Sequence, residues 1–101
     1  MYIEEFVNYI GKEKRLSENT LLAYQTDLIQ FRDFLSTAYS IEHSFDVKAS
    51  VIRSWMVHLM ENNISNRSIN RKISTLQSFY KYLMRIKKLK GNPMNGILRP
   101  K

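Results

Sequence analysis

The stretch best suited to bind another molecule is RSINRKISTLQSFYKYLMRIKKLK, residues 67–90, whose polar side chains include many cations and no carboxylate. Its apolar residues recur with the spacing of an amphipathic helix, in which each residue turns the chain by about 100°. Positions i, i+3, i+4, i+7, i+11, i+14 and i+18 counted from Arg67 therefore share one face. We call this face the basic strip; it consists of Arg67, Asn70, Arg71, Ser74, Ser78, Lys81 and Arg85.

The basic strip has the chemistry of a phosphate-binding surface. Arginine and lysine donate to phosphate oxygens or to base edges, and the small hydroxyls of Ser74 and Ser78 leave room for a duplex to approach closely. A solvated helix face usually mixes both signs of charge, because Glu and Lys four residues apart stabilise each other. The pattern favours contact with a nucleic-acid duplex. The alternative is a plain solvated face on which the serines are ordinary surface residues.

The net charge of +7 is unevenly distributed along the chain. Residues 1–61 carry six basic and nine acidic side chains, whereas residues 62–101 carry ten basic and none acidic. Such segregation is typical of a surface that binds a polyanion, and nucleic acid is the commonest polyanion for a small domain. A basic patch that serves only solubility is the alternative explanation.

A second cluster of cations and short polar side chains lies where a helix is predicted to begin. A helix N-terminus attracts anions, because its first amides have no partner within the helix. Tyr24, one turn after Thr20, either presents its hydroxyl to a phosphate or packs in the core, and the pattern favours the core. The residues of this predicted anion site are Lys14, Arg15, Ser17, Asn19, Thr20 and Tyr24.

No arrangement of residues suited to catalysis is apparent. His43 and His58 have no carboxylate or second histidine at ligand spacing, and the three glycines are too far apart to form a phosphate-binding loop. The chain has no cysteine, which excludes disulfides and thiolate metal sites. We therefore expect no metal, no cofactor and no enzymatic activity in this chain by itself.

Length and hydropathy indicate one soluble domain. With 101 residues, of which 44% are apolar, the chain can bury a core without a disulfide or metal. Its apolar runs are far shorter than the roughly 20 residues that cross a bilayer, and Glu4 and Glu5 stand where a signal peptide would be basic. We expect a cytoplasmic protein with no membrane partner.

The periodicity predicts an all-α fold with four helices and no strand. The first helix covers about residues 2–14, and the second follows an N-cap at Ser17 and continues to about residue 37. A polar, irregular connection is expected over 38–45. Asp46 is expected to cap the third helix, which Asn62 and Asn63 terminate.

Ser65 is expected to cap the fourth helix, which Gly91 and Pro93 close, so that residues 1–91 form the domain and 92–101 a linker. The predicted core stripes use apolar residues at i, i+3, i+4 and i+7 in each helix. On the third helix the stripe includes Met60, and on the fourth it runs from Ile69 to Met84.

Two segments resemble the signatures of a known family, the N-terminal core-binding domain of tyrosine recombinases of the phage-integrase and Xer type. LSENTLLAYQTDLIQFRDFL, residues 16–35, resembles the first signature, with Ser17, Thr20, Tyr24, Leu28, Phe31 and Leu35 at matching positions. Residues 68–101 resemble the second signature, with matches at Ile69, Arg71, Ser74, Leu76, Phe79, Tyr80, Leu83, Asn92, Pro93, Pro100 and Lys101.

This resemblance implies a compact four-helix SAM-like bundle that forms half of a clamp around duplex DNA, with the second and fourth helices facing the duplex. It also implies a separate catalytic domain after the linker, which supplies the tyrosine nucleophile, so that none of the six tyrosines here takes that role. Other recombinase protomers are expected as partners through exposed residues of the first helix, such as Tyr2, Asn8 and Tyr9, while the isolated domain is expected to be monomeric.

The sequence departs from the usual pattern of this family at two places. Gln25 and Thr26 follow the tyrosine of the second helix, and Gln77 lies on the fourth, where the family often has basic residues.

Three other classes of protein are alternatives to this hypothesis. A helical protein-interaction module would need an exposed apolar patch, for which Met56, Met60 and Tyr82 are the candidates. A membrane-surface helix and a helix-turn-helix regulator fit less well.

Overall fold

The computed structural model describes residues 2–100, and these residues contain four α-helices and no strand. The helices are α1 (Tyr2–Lys14), α2 (Glu18–Tyr39), α3 (Ala49–Glu61) and α4 (Asn66–Arg85). The predicted all-α fold is confirmed. The described residues fall into two compact units, 2–43 and 44–100, which are described in turn.

In the first unit, α1 packs against α2. Ile3, Phe6 and Ile10 are buried along one side of α1, as their spacing predicts. Gly11 brings the two helices close together, since a Cβ atom added there would lie 3.1 Å from Leu21 Cδ1. Val7, which follows Ile3 by four residues and so shares this spacing, is half-buried.

The start of α2 agrees with the prediction, but the helix extends further at its C-terminal end than predicted. Ser17 is the N-cap, and its hydroxyl accepts a hydrogen bond from the Thr20 amide at 3.2 Å. The helix continues to Tyr39, two residues beyond the prediction, and ends where Ser40 takes a left-handed conformation with φ of 56°. The Ser40 and Ile41 amides then donate to the last turn, which satisfies its carbonyls.

In the second unit, α3 and α4 are joined by a tight turn. Asn63 has φ of 62°, as expected for the residue that terminates α3, and the Ser65 hydroxyl caps α4 by accepting from the Ser68 amide at 3.2 Å. The core stripe of α3 is buried at Ile52, Trp55 and neighbouring positions, but the prediction for Met60 is wrong, because this side chain is 44% exposed.

The predicted cap of α3 is also wrong. The N-cap is Lys48, whose side chain makes no capping bond, and not Asp46. The Asp46 amide instead donates to the Ser44 hydroxyl at 3.0 Å, so a short turn within 44–46 precedes the helix. The backbone of Lys48 is nevertheless extended, with φ of −78° and ψ of 155°, which is the conformation that a capping residue needs.

The segment before α3 is anchored to α4 by an aromatic cluster. Phe45, predicted to lie in a surface connection, is buried, and its ring meets Phe79 edge-on with centroids 4.8 Å apart. The buried hydroxyl of Tyr80 donates to the Phe45 carbonyl at 2.7 Å. This bond satisfies two polar groups that burial would otherwise leave without water.

The fourth helix ends at Arg85, five residues before the predicted end at 90. Lys87 adopts a left-handed conformation with φ of 61°, and the Lys88 amide donates to the Leu83 carbonyl at 2.9 Å. Lysine rarely occupies this conformation, so the sequence pattern pointed to Gly91 instead. Gly91 lies in the bend that follows.

Residues 92–100, which we call the C-terminal segment, are folded within the second unit. The Asn92 side chain accepts from the Met94 amide at 2.9 Å and so forms a turn around Pro93. Met94 and Ile97 are buried. The division of the chain into a domain at 1–91 and a linker at 92–101 stays a prediction, although these two side chains are part of the core.

We expect Lys48→Asp to stabilise the chain by about 0.5–1 kcal/mol, because it supplies an acceptor at an N-cap whose backbone is already suitably placed. Asp46→Ala serves as the control and should change stability by less than about 0.5 kcal/mol. Urea unfolding followed by circular dichroism measures both. A large loss in Asp46→Ala without a gain in Lys48→Asp would contradict the assigned cap.

A second prediction concerns Tyr80 and pH. Burial, together with the nearby charge of Asp46, raises the pKa of the Tyr80 phenol well above its ordinary value. Below about pH 10 the phenol is protonated in both states, whereas above it the unfolded state ionises first, so stability should fall as pH rises.

Tyr80→Phe removes this proton and the bond to Phe45. At pH 7 we expect the variant to be less stable by about 1–2 kcal/mol, because the Phe45 carbonyl is left buried without its donor. The difference from the unsubstituted chain should shrink between pH 10 and pH 11, measured by urea unfolding at each pH. A difference that stays constant with pH would contradict the assignment.

Candidate nucleic-acid interface

The polar face of α4 carries its cations at both ends. Arg67 and Arg71 near the start, and Lys81 and Arg85 near the end, are exposed, whereas Asn70, Ser74 and Ser78 are half-buried. At 1.5 Å per residue the basic strip from Arg67 to Arg85 is about 27 Å long. Lys72, a further cation of the same helix, is buried and lies outside the strip.

The middle of the basic strip is occupied by an arginine from the C-terminal segment. Arg99 Nη1 donates to the Asn70 carbonyl at 3.0 Å and to the Ser74 hydroxyl at 2.9 Å. Its Nη2 donates to Gln77 Oε1 at 2.6 Å. The three acceptors follow i, i+4 and i+7, so they form one row along α4. Arg99, which lies 22 to 29 residues after these acceptors in the chain, thus adds a cation to the strip.

Asn70 holds the backbone next to this arginine. Its side-chain amide donates to the Asn66 carbonyl at 3.0 Å and to the Pro100 carbonyl at 3.0 Å. An asparagine amide has two N–H donors, and both are used in these bonds. Asn70 therefore fixes the end of the C-terminal segment against α4, and its assignment as a DNA contact stays a prediction.

The electrostatics of this face differ from those of the rest of the chain. Residues 62–101 have no carboxylate, and each acceptor that Arg99 contacts is neutral. Neutral acceptors orient a guanidinium without cancelling its charge, whereas a carboxylate would do both. The exposed side chain of Arg99 therefore keeps its full charge between the cations at the two ends of the strip.

The start of α2 brings the second predicted cluster together within the first unit. Lys14 is exposed as the last residue of α1, and Arg15 is exposed in a left-handed conformation with φ of 49°. The Ser17 and Thr20 hydroxyls share a hydrogen bond of 2.9 Å. This bond and the capping bond already engage the two hydroxyls, so the cations are the groups best placed to attract an anion.

The remaining members of this cluster are arranged less favourably. Asn19 is exposed, but Glu18 beside it is an exposed carboxylate that repels phosphate. Tyr24 is half-buried, with its ring centroid 6.4 Å from that of Phe6, which agrees with the expected packing role. The start of α2 is therefore a weaker candidate for an anion site than the face of α4.

Sequence reasoning identified the strip but not Arg99 or its contact with Gln77. Helical spacing cannot place Arg99, because this residue lies beyond the end of the helix. The one local signal was the polar row of Asn70, Ser74 and Gln77, whose oxygens can accept hydrogen bonds from a donor elsewhere in the chain.

The other surface residues that the sequence singled out differ from one another in their exposure to solvent. His43 and His58 are exposed, and residues 2–100 contain no group of three His, Cys, Asp or Glu side chains arranged to hold a metal ion. On α1, Asn8 is exposed while Tyr2 and Tyr9 are half-buried. Of the candidate apolar patch, Met56 is buried and Tyr82 is half-buried, so Met60 does not form a patch with them.

None of the helices in the described residues 2–100 is both long and apolar enough to span a membrane.

The sequence that forms these four helices matches a known family of domains. The chain belongs to the phage integrase N-terminal SAM-like domain family, whose model matches residues 3–87. The resemblance found in the two signature segments is thereby confirmed. No solved structure matches the chain.

Curated relatives that the chain resembles are tyrosine recombinases. It is 40% identical over 101 residues to tyrosine recombinase XerC of Oceanobacillus iheyensis, covering 100% of this chain and 33% of that protein. It is 36% identical over 100 residues to tyrosine recombinase XerD of Rickettsia bellii, covering 99% of this chain and 32% of that protein. The chain thus spans about a third of the length of these relatives.

Proposed function

We propose that this chain binds duplex DNA through the face of α4 and thereby positions a separate catalytic domain of a tyrosine recombinase. The observation that carries the proposal is the basic strip, where four exposed cations lie along one helix face in a region without a carboxylate. Phosphates carry closely spaced negative charge, so a row of cations about 27 Å long matches a stretch of duplex backbone.

The same side chains explain what kind of binding is expected. Arginine and lysine contacts to phosphates set the position of a protein on DNA but do not read its sequence. Such contacts release counterions, so the affinity should fall steeply as salt rises. A single small module with few phosphate contacts is expected to bind in the micromolar range or more weakly at physiological salt.

The role within a longer protein follows from the family. The matched relatives are named tyrosine recombinases, and the chain corresponds to about a third of their length. We therefore place the chemistry of strand exchange outside residues 1–101 and assign this chain no activity of its own. Lys14 and Arg15 at the start of α2 would add a second, weaker contact to DNA, and exposed residues of α1 such as Asn8 would contact neighbouring protomers.

Fluorescence anisotropy of a labelled duplex, measured at several salt concentrations, tests the α4 assignment. Arg71→Ala combined with Lys81→Ala should weaken binding at low salt and reduce the slope of log K against log salt by roughly two, since each phosphate contact contributes about 0.9. Circular dichroism should show unchanged helix content, because both side chains are exposed.

The matched control is Lys48→Ala combined with Arg53→Ala, which removes the same charge from exposed positions at and within α3. This control should keep the slope of the unsubstituted chain. Equal losses in both double variants would mean that net charge alone drives binding. An unchanged slope in the α4 variant would overturn the assignment of this face.

A further inference from the structure

We propose that Arg99 is the central phosphate-binding residue of the α4 face, and that Asn70, Ser74 and Gln77 act by holding its guanidinium in place. This inference rests on the proposed DNA-binding function and extends it. It assigns a binding role to the C-terminal segment, and it changes the roles of Asn70 and Ser74 from DNA contacts to positioning residues.

The geometry supports a fixed orientation for the guanidinium. Arg99 makes three hydrogen bonds of 2.6 to 3.0 Å to a row on α4. The end of its segment is held by the bond from Asn70 to the Pro100 carbonyl, and the segment is anchored further by the buried Met94 and Ile97. An arginine held in this way loses less conformational entropy on binding a phosphate than one that moves freely.

Arg99 retains N–H donors with which it can bind a ligand. A guanidinium has five N–H donors, and three of them take part in the bonds to α4. The side chain is exposed, and its three acceptors carry no charge. A fully charged, oriented guanidinium with two remaining donors suits a phosphate oxygen.

Arg99 lies at a level of α4 where the basic strip has no exposed cation of its own. Two of the three acceptors, Ser74 and Gln77, lie between Arg71 and Lys81, where α4 itself offers serine hydroxyls and no exposed cation. With Arg99 in place, a cation lies within the roughly 15 Å of helix axis that separates Arg71 from Lys81. The C-terminal segment therefore supplies the charge that is missing from the middle of the helix.

A double-mutant cycle with the full chain and a labelled duplex tests this role. Arg99→Ala should lower the affinity at low salt by about five- to tenfold and reduce the salt slope by roughly one. Gln77→Ala alone should weaken binding by about threefold, but in the Arg99→Ala background it should have almost no further effect, because a positioning residue acts only through its partner.

Lys81→Ala is the control, because a separate phosphate contact should add its full effect in either background. Thermal unfolding of each variant checks that the fold is kept. Two results would overturn the inference: unchanged or tighter binding by Arg99→Ala, which would make the segment a cover over the face, or a Gln77→Ala effect that persists without Arg99. Failure of the unsubstituted chain to bind DNA would instead overturn the proposed function and this inference together.

Discussion

The burial of one side of α4 is the constraint on which the second unit depends. Ile69, Ile73, Leu76, Phe79, Tyr80 and Leu83 are almost completely excluded from solvent. Their 3.6-residue spacing fixes the rotation of the helix about its axis. Once that rotation is set, the residues half a turn away point away from this core, and these are the residues of the basic strip. The position of the basic strip is therefore a geometric consequence of the core.

The absence of carboxylates has a cost that the core must offset. A surface helix usually gains a few tenths of a kcal/mol from each Glu–Lys pair, and α4 has none because it contains no acidic residue. Its stability comes instead from the apolar side, from the Ser65 cap and from the bond between Tyr80 and Phe45. Arg99 adds three bonds to the polar side without adding a negative charge, so it orders that surface and keeps its attraction for phosphate.

The sequence was sufficient to predict the structure wherever one local preference dominates. The caps at Ser17 and Ser65 and the turn at Asn63 were predicted because short polar side chains have strong preferences at helix ends. The errors occurred where tertiary contacts outweigh such preferences. Lys87 takes a left-handed conformation that lysine disfavours, and Phe45 is buried by a contact with Phe79 that spans 34 residues. Arg99 was missed for the same reason, because its three acceptors lie 22 to 29 residues earlier.

Chemical-shift mapping of the nitrogen-15-labelled chain during titration with a short duplex tests the central claim most directly. If the face of α4 binds DNA, the amide signals of Arg67, Arg71, Lys81 and Arg85 and the side-chain signal of Arg99 should shift together and return as salt is added. The signals of Arg53 and Val57, exposed on α3, should not move. Shifts concentrated on α3, or no shifts along α4 at low salt, would contradict the account.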